Sequence, residues 1–464
     1  MPLGAADIRM PFLNMLAFLP VITKARELEA RVLLSAHLAK RGFSVVLGDP
    51  SFVDYRARYA RNAICFCPLL VPAAEPRMRA LKARGHTIIA WDEEGLVYPD
   101  PEWYFANRVG PESAKLADAL IAWGGVGARD WQPTLPPEAS RPIALGNGRL
   151  DLLREPYCRL YSAKAEQLKR RFGDYVLVNT NFDLVNHADG EGGLLRRLRA
   201  SGRVRGKEDE AQFARWGQFR QAMFDAFMQG LPRLHDALPQ LHFVIRPHPS
   251  ENLKPYQDLA QTYPRMSVEP AKDPVFAWIL GSRAIVHNSC TTAVEAYMLG
   301  VPPIAYAMRE APGAGMDSPL PNLLSTICES WSEVAACLEA LCDGRSFPWP
   351  APTQREAAQA YIGSLEGDHS VSRLADLAVE MVGRMPPGEL GGPPFARRAK
   401  RAMGAAADKI GLRQRVKPDD RRRFPGLAQT EVDELLGAIG PMAGVQLQAT
   451  AIEPNTYLIK AAAD

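Results

Sequence analysis

Residues 242–256 read HFVIRPHPSENLKPY, a β-prone run that halts at Arg246-Pro247-His248-Pro249. A strand ending there leaves a guanidinium and an imidazole at its tip. The two prolines fix φ on either side of His248 and hold the ring in one direction. Open parallel sheets bind ligands beyond the carboxyl ends of their strands, and a pair of donors at such an edge suits a phosphate. The competing reading is a turn with an ordinary surface histidine.

The flanking segments define the sheet. On the N-terminal side MLAFLPVI, FSVVLGD, AICFCPLL, HTIIAWDEEG, LIAWGG and RPIALGNGRLD alternate with helical patterns, the strongest from about Arg26 to Arg41. That spacing means right-handed βαβ units and a mainly parallel sheet. A second half opens near Tyr157 with a charged helix and the strand DYVLVNTNF, and resumes with LHFVIRPHP, RMSVEP, RAIVHNS and VPPIAYA. The expectation is an α/β chain of two Rossmann-like parallel-sheet domains facing a cleft, 1–155 and 156–385. A helical insertion is expected at about 187–238, and a Pro/Gly hinge with a basic extension over 386–464. A chain of 464 residues is long enough for two such cores.

The second half carries another anion-binding pattern. Residues 284–306, AIVHNSCTTAVEAYMLGVPPIAY, read as strand, small polar loop, helix and next strand, with Gly300 closing the helix. Free backbone N–H groups and the helix dipole attract an anion there, and the hydroxyls of Ser289, Thr291 and Thr292 add donors. A plain helix cap is the alternative. Glu295, about one turn on, is placed to reach a ribose hydroxyl. Arg246 and His248, expected on the adjacent strand, join Asn288, Ser289, Thr291, Thr292 and Glu295 in a nucleotide pocket.

Across the cleft, Asp92, Glu93 and Glu94 follow the apolar strand TIIAW. Crowded carboxylates repel, which raises the pKa of at least one and suits acid/base work; a solvated acidic turn is the alternative. Glu94 is the preferred acid/base, with Glu93 next. Asp151, where the halves meet, is a candidate nucleophile or sugar-binding carboxylate, or else a helix cap, and Arg149 either binds sugar or pairs with it. Glu27 opens the first long helix, where the dipole favours it, or faces the cleft.

These residues carry a resemblance. EAYMLGVPPIAY resembles the Glu-Ala…Gly-x-Pro segment of GT-B glycosyltransferases. RPHP followed by NSCTT resembles the His-Pro and Ser/Thr motifs of bacterial sialyltransferases, capsule Kdo transferases and polyol-phosphate polymerases. The order LPVITKARELEARVLLSAHLAKRGFSVVLG, WDEEGLVY, LGNGRLDLL, VLVNTNF, RPHPSE, NSCTTAVEAYMLGVP and RRRFPGL is similar to bacterial surface carbohydrate biosynthesis proteins, chiefly over residues 15–310. The resemblance implies a GT-B-like, metal-independent glycosyltransferase without a cofactor, transferring a Kdo-like or nonulosonic acid sugar from a CMP-linked donor. His248 would hold the donor phosphate among Ser289, Thr291 and Thr292. One departure is GNGRLD where such families commonly read Gly-Asn-Pro-Arg-x-Asp; Gly148 is expected to loosen that turn while leaving Arg149 and Asp151.

Composition narrows the partners. A formal charge of +3 is too small to indicate a nucleic-acid binder. Seven cysteines without a CxxC pair argue against a disulfide-stapled secreted protein and fit the cytoplasm. No HExxH or strand-terminal DxD points to a metal site. Residues 10–23, MPFLNMLAFLPVIT, are too short for a membrane span and read as a buried first strand. The expected partners are a nucleotide-sugar donor and a glycan or lipid-linked glycan acceptor. The basic C-terminal stretch, with Arg397, Arg398, Lys400, Arg401 and Arg421 to Arg423, is either a solvated face or a patch holding the protein at the anionic inner face of the membrane. The rivals are a polyol-phosphate transferase or nucleotide-sugar epimerase on the same scaffold, and a non-catalytic scaffold protein of polysaccharide export.

Overall fold

The computed structural model describes residues 15–462, apart from 99, 191, 201–203, 205, 272, 309–316, 346 and 392–422. Two sheets organise it. The first contains parallel strands β1 (Met15–Pro20), β2 (Phe43–Gly48), β3 (Ile64–Cys67), β4 (Thr87–Trp91), β5 (Ala119–Ala122) and β6 (Pro142–Ala144) in the order β2-β1-β3-β4-β5-β6. The second contains β7 (Tyr175–Asn179), β8 (His242–Arg246), β9 (Met266–Val268), β10 (Ala284–His287), β11 (Pro303–Tyr306) and β12 (Thr326–Cys328), ordered β12-β11-β10-β7-β8-β9 and all parallel. The sequence reads as apolar runs because helices cover both faces: all residues of β3, β5, β7, β10 and β11 are buried. This is the expected pair of Rossmann-like lobes.

Three expectations about the outer parts change. The stretch read as an insertion contains the crossover helix Lys207–Ala237 between β7 and β8. Phe219, Met223, Phe227, Leu231 and Leu234, spaced three or four residues apart, bury one stripe of it on the sheet. Each such side chain contributes roughly 1.5–3 kcal/mol, so the helix is part of the core. Gly230 admits the Trp331 ring, whose atoms lie 1.9 Å from where a Cβ would stand.

The chain also returns to the first lobe well before residue 386. The helices Pro352–Tyr361 and Ser370–Val382 pack there, and the Gly363 N–H donates to Trp123 O at 2.7 Å. Finally, β13 (Leu447–Glu453) and β14 (Thr456–Ala461) form a hairpin whose β14 pairs antiparallel with β2, while the helix Gln429–Ala443 lies on Lys24–Lys40. The C-terminal end therefore completes the first lobe and covers its β2 edge. Arg397, Arg398, Lys400, Arg401, Arg421 and Arg422 lie outside the described residues. No described helix is long and apolar enough to cross a membrane.

Candidate active site

In each sheet the chain reverses its direction of winding once, between β1 and β3 in the first and between β7 and β10 in the second. Crevices form at such points beyond the strand ends. Both open onto one cavity of about 410 Å3, lined from the first lobe by Ala25, Arg26, Glu94, Val97 and Arg149 and from the second chiefly by three strand-end loops.

The second-lobe wall unites most of the expected nucleotide group. Arg246, His248, Ser289, Thr291, Thr292 and Glu295 all line the cavity. However, β8 and β10 are not neighbours: β7 runs between them, and its tip Asn179-Thr180-Asn181 occupies the middle of the wall. Asn288 lies behind the wall. Its Oδ1 accepts from the Asn181 N–H at 3.0 Å and so joins the β10 and β7 loops. Arg246 is buried, donates through Nη2 to Asp273 Oδ1 at 2.6 Å and stacks 5.2 Å from the Trp278 ring centre. Burial lowers its pKa, with Asp273 and Glu295 opposing.

The RPHP turn is anchored from below. Glu251, buried, accepts from the His248 N–H at 3.0 Å, Thr180 Oγ1 at 2.9 Å and the Tyr256 hydroxyl at 2.6 Å. The Ser250 N–H approaches His248 Nδ1 at 3.3 Å. A neutral ring accepting there carries its proton on Nε2, which is left to donate to a ligand. Ser289 has φ of 61°, a left-handed conformation uncommon for a non-glycine residue, and its hydroxyl donates to Ser318 O at 3.1 Å. The helix that follows, Thr292–Met298, has only seven residues, so side-chain donors rather than a long dipole are what this loop offers the cavity. His287 is structural: burial lowers its pKa to about 3, and Nε2 bonds Ser325 Oγ at 2.8 Å.

The three carboxylates after β4 separate into three roles. Asp92 is buried and turned away, accepting from Arg108 Nη2 at 2.5 Å, Arg108 Nε at 2.9 Å and the Tyr104 hydroxyl at 3.0 Å; it does not line the cavity. Glu93 is also buried behind the wall, bound by Arg31 at 2.6 Å and the Trp91 indole at 2.7 Å. Only Glu94 faces the cavity, gripped by both Arg26 nitrogens at 2.5 and 3.0 Å. Burial in the cleft wall pushes its pKa up, but Arg26, Arg149 and Arg108 outweigh this, and the net shift is downward. Mutual repulsion was expected to raise a pKa here; instead each carboxylate has its own arginine, Arg108 for Asp92, Arg31 for Glu93 and Arg26 for Glu94, and the shift at Glu94 is downward. The raised carboxylate of the cavity is Glu295, pushed up by burial against the pull of Arg149, Arg26 and Arg246.

Arg149 links the lobes. It lies 4.0 Å from Glu93, 3.5 Å from Glu295 and 5.6 Å from the Trp123 ring centre. Behind it, Glu93 reaches Arg31 and Arg31 reaches Glu27 at 3.5 Å. Glu27 does not face the cleft: it accepts from the Ile22 and Thr23 N–H groups at 2.9 Å and is buried.

Asp151 is fully buried and absent from the cavity lining. Its oxygens accept from Ser364 Oγ at 3.1 Å, Ser370 N at 3.0 Å, Ser370 Oγ at 2.5 Å and Val371 N at 2.8 Å. It caps the helix Ser370–Val382 rather than its own. Gly148 is part of this junction: a Cβ there would lie 2.7 Å from Val371 Cγ1, so the glycine tightens the packing instead of loosening a turn.

Several cavity residues were not expected. Arg26 sits at the start of the first long helix, Asn179 to Asn181 at the tip of β7, and Trp216 and Arg220 on the crossover helix. Arg220 pairs with Asp317 at 3.0 Å and donates to the Asn288 and Asn181 carbonyls at 3.3 and 3.4 Å. The signal for Asn179 to Asn181 was the same as for RPHP, polar residues ending an apolar strand, in DYVLVNTNF. No group of three or more His, Cys, Asp or Glu side chains placed to hold a metal ion occurs among the described residues.

No family model matches the chain, and no curated protein matches it either. Among solved structures it is similar to the wall teichoic acid polymerase TagF, at 10% identity over 80% of this chain and 90% of that one, TM-score 0.49. It is also similar to Anabaena Alr3699/HepE in complex with UDP-glucose, at 10% identity over 79% and 100%, TM-score 0.42. A third is UDP-GlcNAc 2-epimerase from Neisseria meningitidis bound to UDP-GlcNAc, at 12% identity over 80% and 100%, TM-score 0.44.

Proposed function

We propose that this chain is a glycosyltransferase of bacterial surface polysaccharide assembly that uses a nucleotide-activated sugar. One observation carries the reading: a single cavity between the strand ends of two parallel sheets has phosphate-type donors on one wall and a carboxylate with two arginines on the other. His248 Nε2 and the hydroxyls of Thr291 and Thr292 hold the donor phosphate, Glu295 takes the ribose, and the acceptor lies against Arg26, Glu94 and Arg149. Departure of a nucleotide leaves negative charge on its phosphate, and fixed donors at that point lower the barrier. Glu94, ionised, takes the proton of the acceptor hydroxyl. Its depressed pKa makes it a weak base, so charge stabilisation of the leaving group carries the larger share.

The preferred donor is a CMP-linked Kdo-like or nonulosonic acid sugar. Arg26, Arg149, Arg220 and Arg246 line the cavity against Glu94, Asp273 and Glu295, and Glu295 is the carboxylate whose ionisation burial opposes. That balance favours a ligand with more than one negative charge. Product analysis with CMP-, UDP- and CDP-linked donors, preceded by thermal-shift measurement with CMP, CDP and UDP, tests the reading. Stabilisation by CMP and glycosyl transfer from a CMP-linked acidic sugar are expected. Transfer of a polyol phosphate from a CDP-linked donor, or epimerisation of a UDP-sugar without transfer, would replace it.

A further inference from the structure

Away from the cleft, two thiols face each other at the sheet edge. Cys328 ends β12, and Cys337 lies on the following helix, Trp331–Cys342; their sulfurs are 3.8 Å apart. From the geometry we infer that Cys328 and Cys337 are a site of reversible oxidation, at which a hydroperoxide converts the thiol pair to a disulfide. The inference is independent of the proposed activity.

The two sulfurs differ in a way that assigns their roles. Cys328 is buried at 1% exposure, whereas Cys337 is half-buried and within reach of a small oxidant. Either sulfur can donate across this contact; with the buried Cys328 thiol as donor, the Cys337 pKa is lowered and that of Cys328 raised. An accessible sulfur of thiolate character beside a resolving thiol is the arrangement redox-active cysteines use. Cys337 attacks the near oxygen of the peroxide, the O–O bond breaks, and a sulfenic acid forms with loss of water or alcohol. Cys328 then attacks that sulfur, its proton leaves with the displaced hydroxide as water, and the S–S bond closes. Two thiols are oxidised and one peroxide is reduced; a low-molecular-weight thiol reverses the step. Closure to a bond of about 2.05 Å asks for about 1.8 Å of approach, shared between a strand end and a single helical turn.

The ring so closed contains Trp331, which stacks on Tyr306 at 4.5 Å and meets Phe227 of the crossover helix at 5.0 Å. Oxidation would therefore fasten the helix Trp331–Cys342 to the sheet over a cluster that is already packed.

The test uses the reduced full-length protein treated with one equivalent of hydrogen peroxide, alkylated and cleaved at glutamate. Cuts after Glu329, Glu333 and Glu339 put Cys328, Cys337 and Cys342 on separate peptides. A Cys328–Cys337 linked species that dithiothreitol removes is expected, formed several-fold faster in the folded protein than in urea. In C328S, dimedone should label Cys337; in C337S it should leave Cys328 unlabelled. Linkage of Cys337 to Cys342, full alkylation of both thiols after peroxide, or equal rates in the folded and urea-unfolded protein would overturn the inference.

Discussion

Asp151→Ala separates a carboxylate that does chemistry from one that holds the lobe together. The substitution removes two acceptor oxygens and the four hydrogen bonds they receive at a site with no solvent exposure, and leaves the Ser370 and Val371 N–H groups at the start of the helix Ser370–Val382 without partners. Hydrogen bonds to a charged group are worth roughly 1.5–3 kcal/mol each and a lost cap about 1 kcal/mol, but removing the carboxylate also relieves its own burial cost. A net loss of about 3–5 kcal/mol is therefore expected, since breaking a buried charged group's contacts typically costs that much. For a lobe of 150–250 residues this lowers Tm by roughly 10 °C. Thermal unfolding followed by circular dichroism measures it, and hydrogen exchange should show the Ser370–Val382 amides losing protection first. Asp151→Asn, which keeps one acceptor oxygen, should fall between. A variant with unchanged Tm and abolished glycosyl transfer would refute the reasoning and return Asp151 to the chemistry.

Three further outcomes follow from the same geometry. His248→Ala should weaken nucleotide binding by up to about tenfold, the value of one hydrogen bond to a ligand, with Tm unchanged because the ring is exposed; isothermal titration calorimetry measures it. Asp92→Asn should lower Tm by loosening the Arg108 and Tyr104 contacts while nucleotide affinity stays at the parental value, and loss of affinity would show that Asp92 reaches the ligand. Glu295 has a folded pKa above its ordinary 4.5, so the native state keeps a proton that the unfolded chain releases, and stability falls as pH rises through that window. Glu295→Gln removes the titration: its Tm advantage over the parent should be absent near pH 4 and grow toward neutrality, while nucleotide binding weakens. A pH-independent difference would contradict the buried-carboxylate account.

The alternation of apolar runs with helical patterns was enough to identify two parallel-sheet lobes, because the signal is local: a strand covered on both faces is apolar throughout, wherever its partners lie. The tips of β8 and β10 were legible for the same reason, since polar residues ending an apolar strand mark the carboxyl edge. What the chain could not reveal before folding was which tips meet. β7 lies between β8 and β10 because strand order follows from packing, and Arg220 enters the wall from a helix whose residues are continuous with an ordinary core stripe. Asp92, Glu93 and Glu94 are consecutive in the chain, yet Arg108, Arg31 and Arg26, from two different helices, give them three environments. Asp151 finds its partners at residues 364, 370 and 371. A carboxylate's role depends on the cations and N–H groups within about 4 Å, and those are set by contacts between residues far apart in the chain.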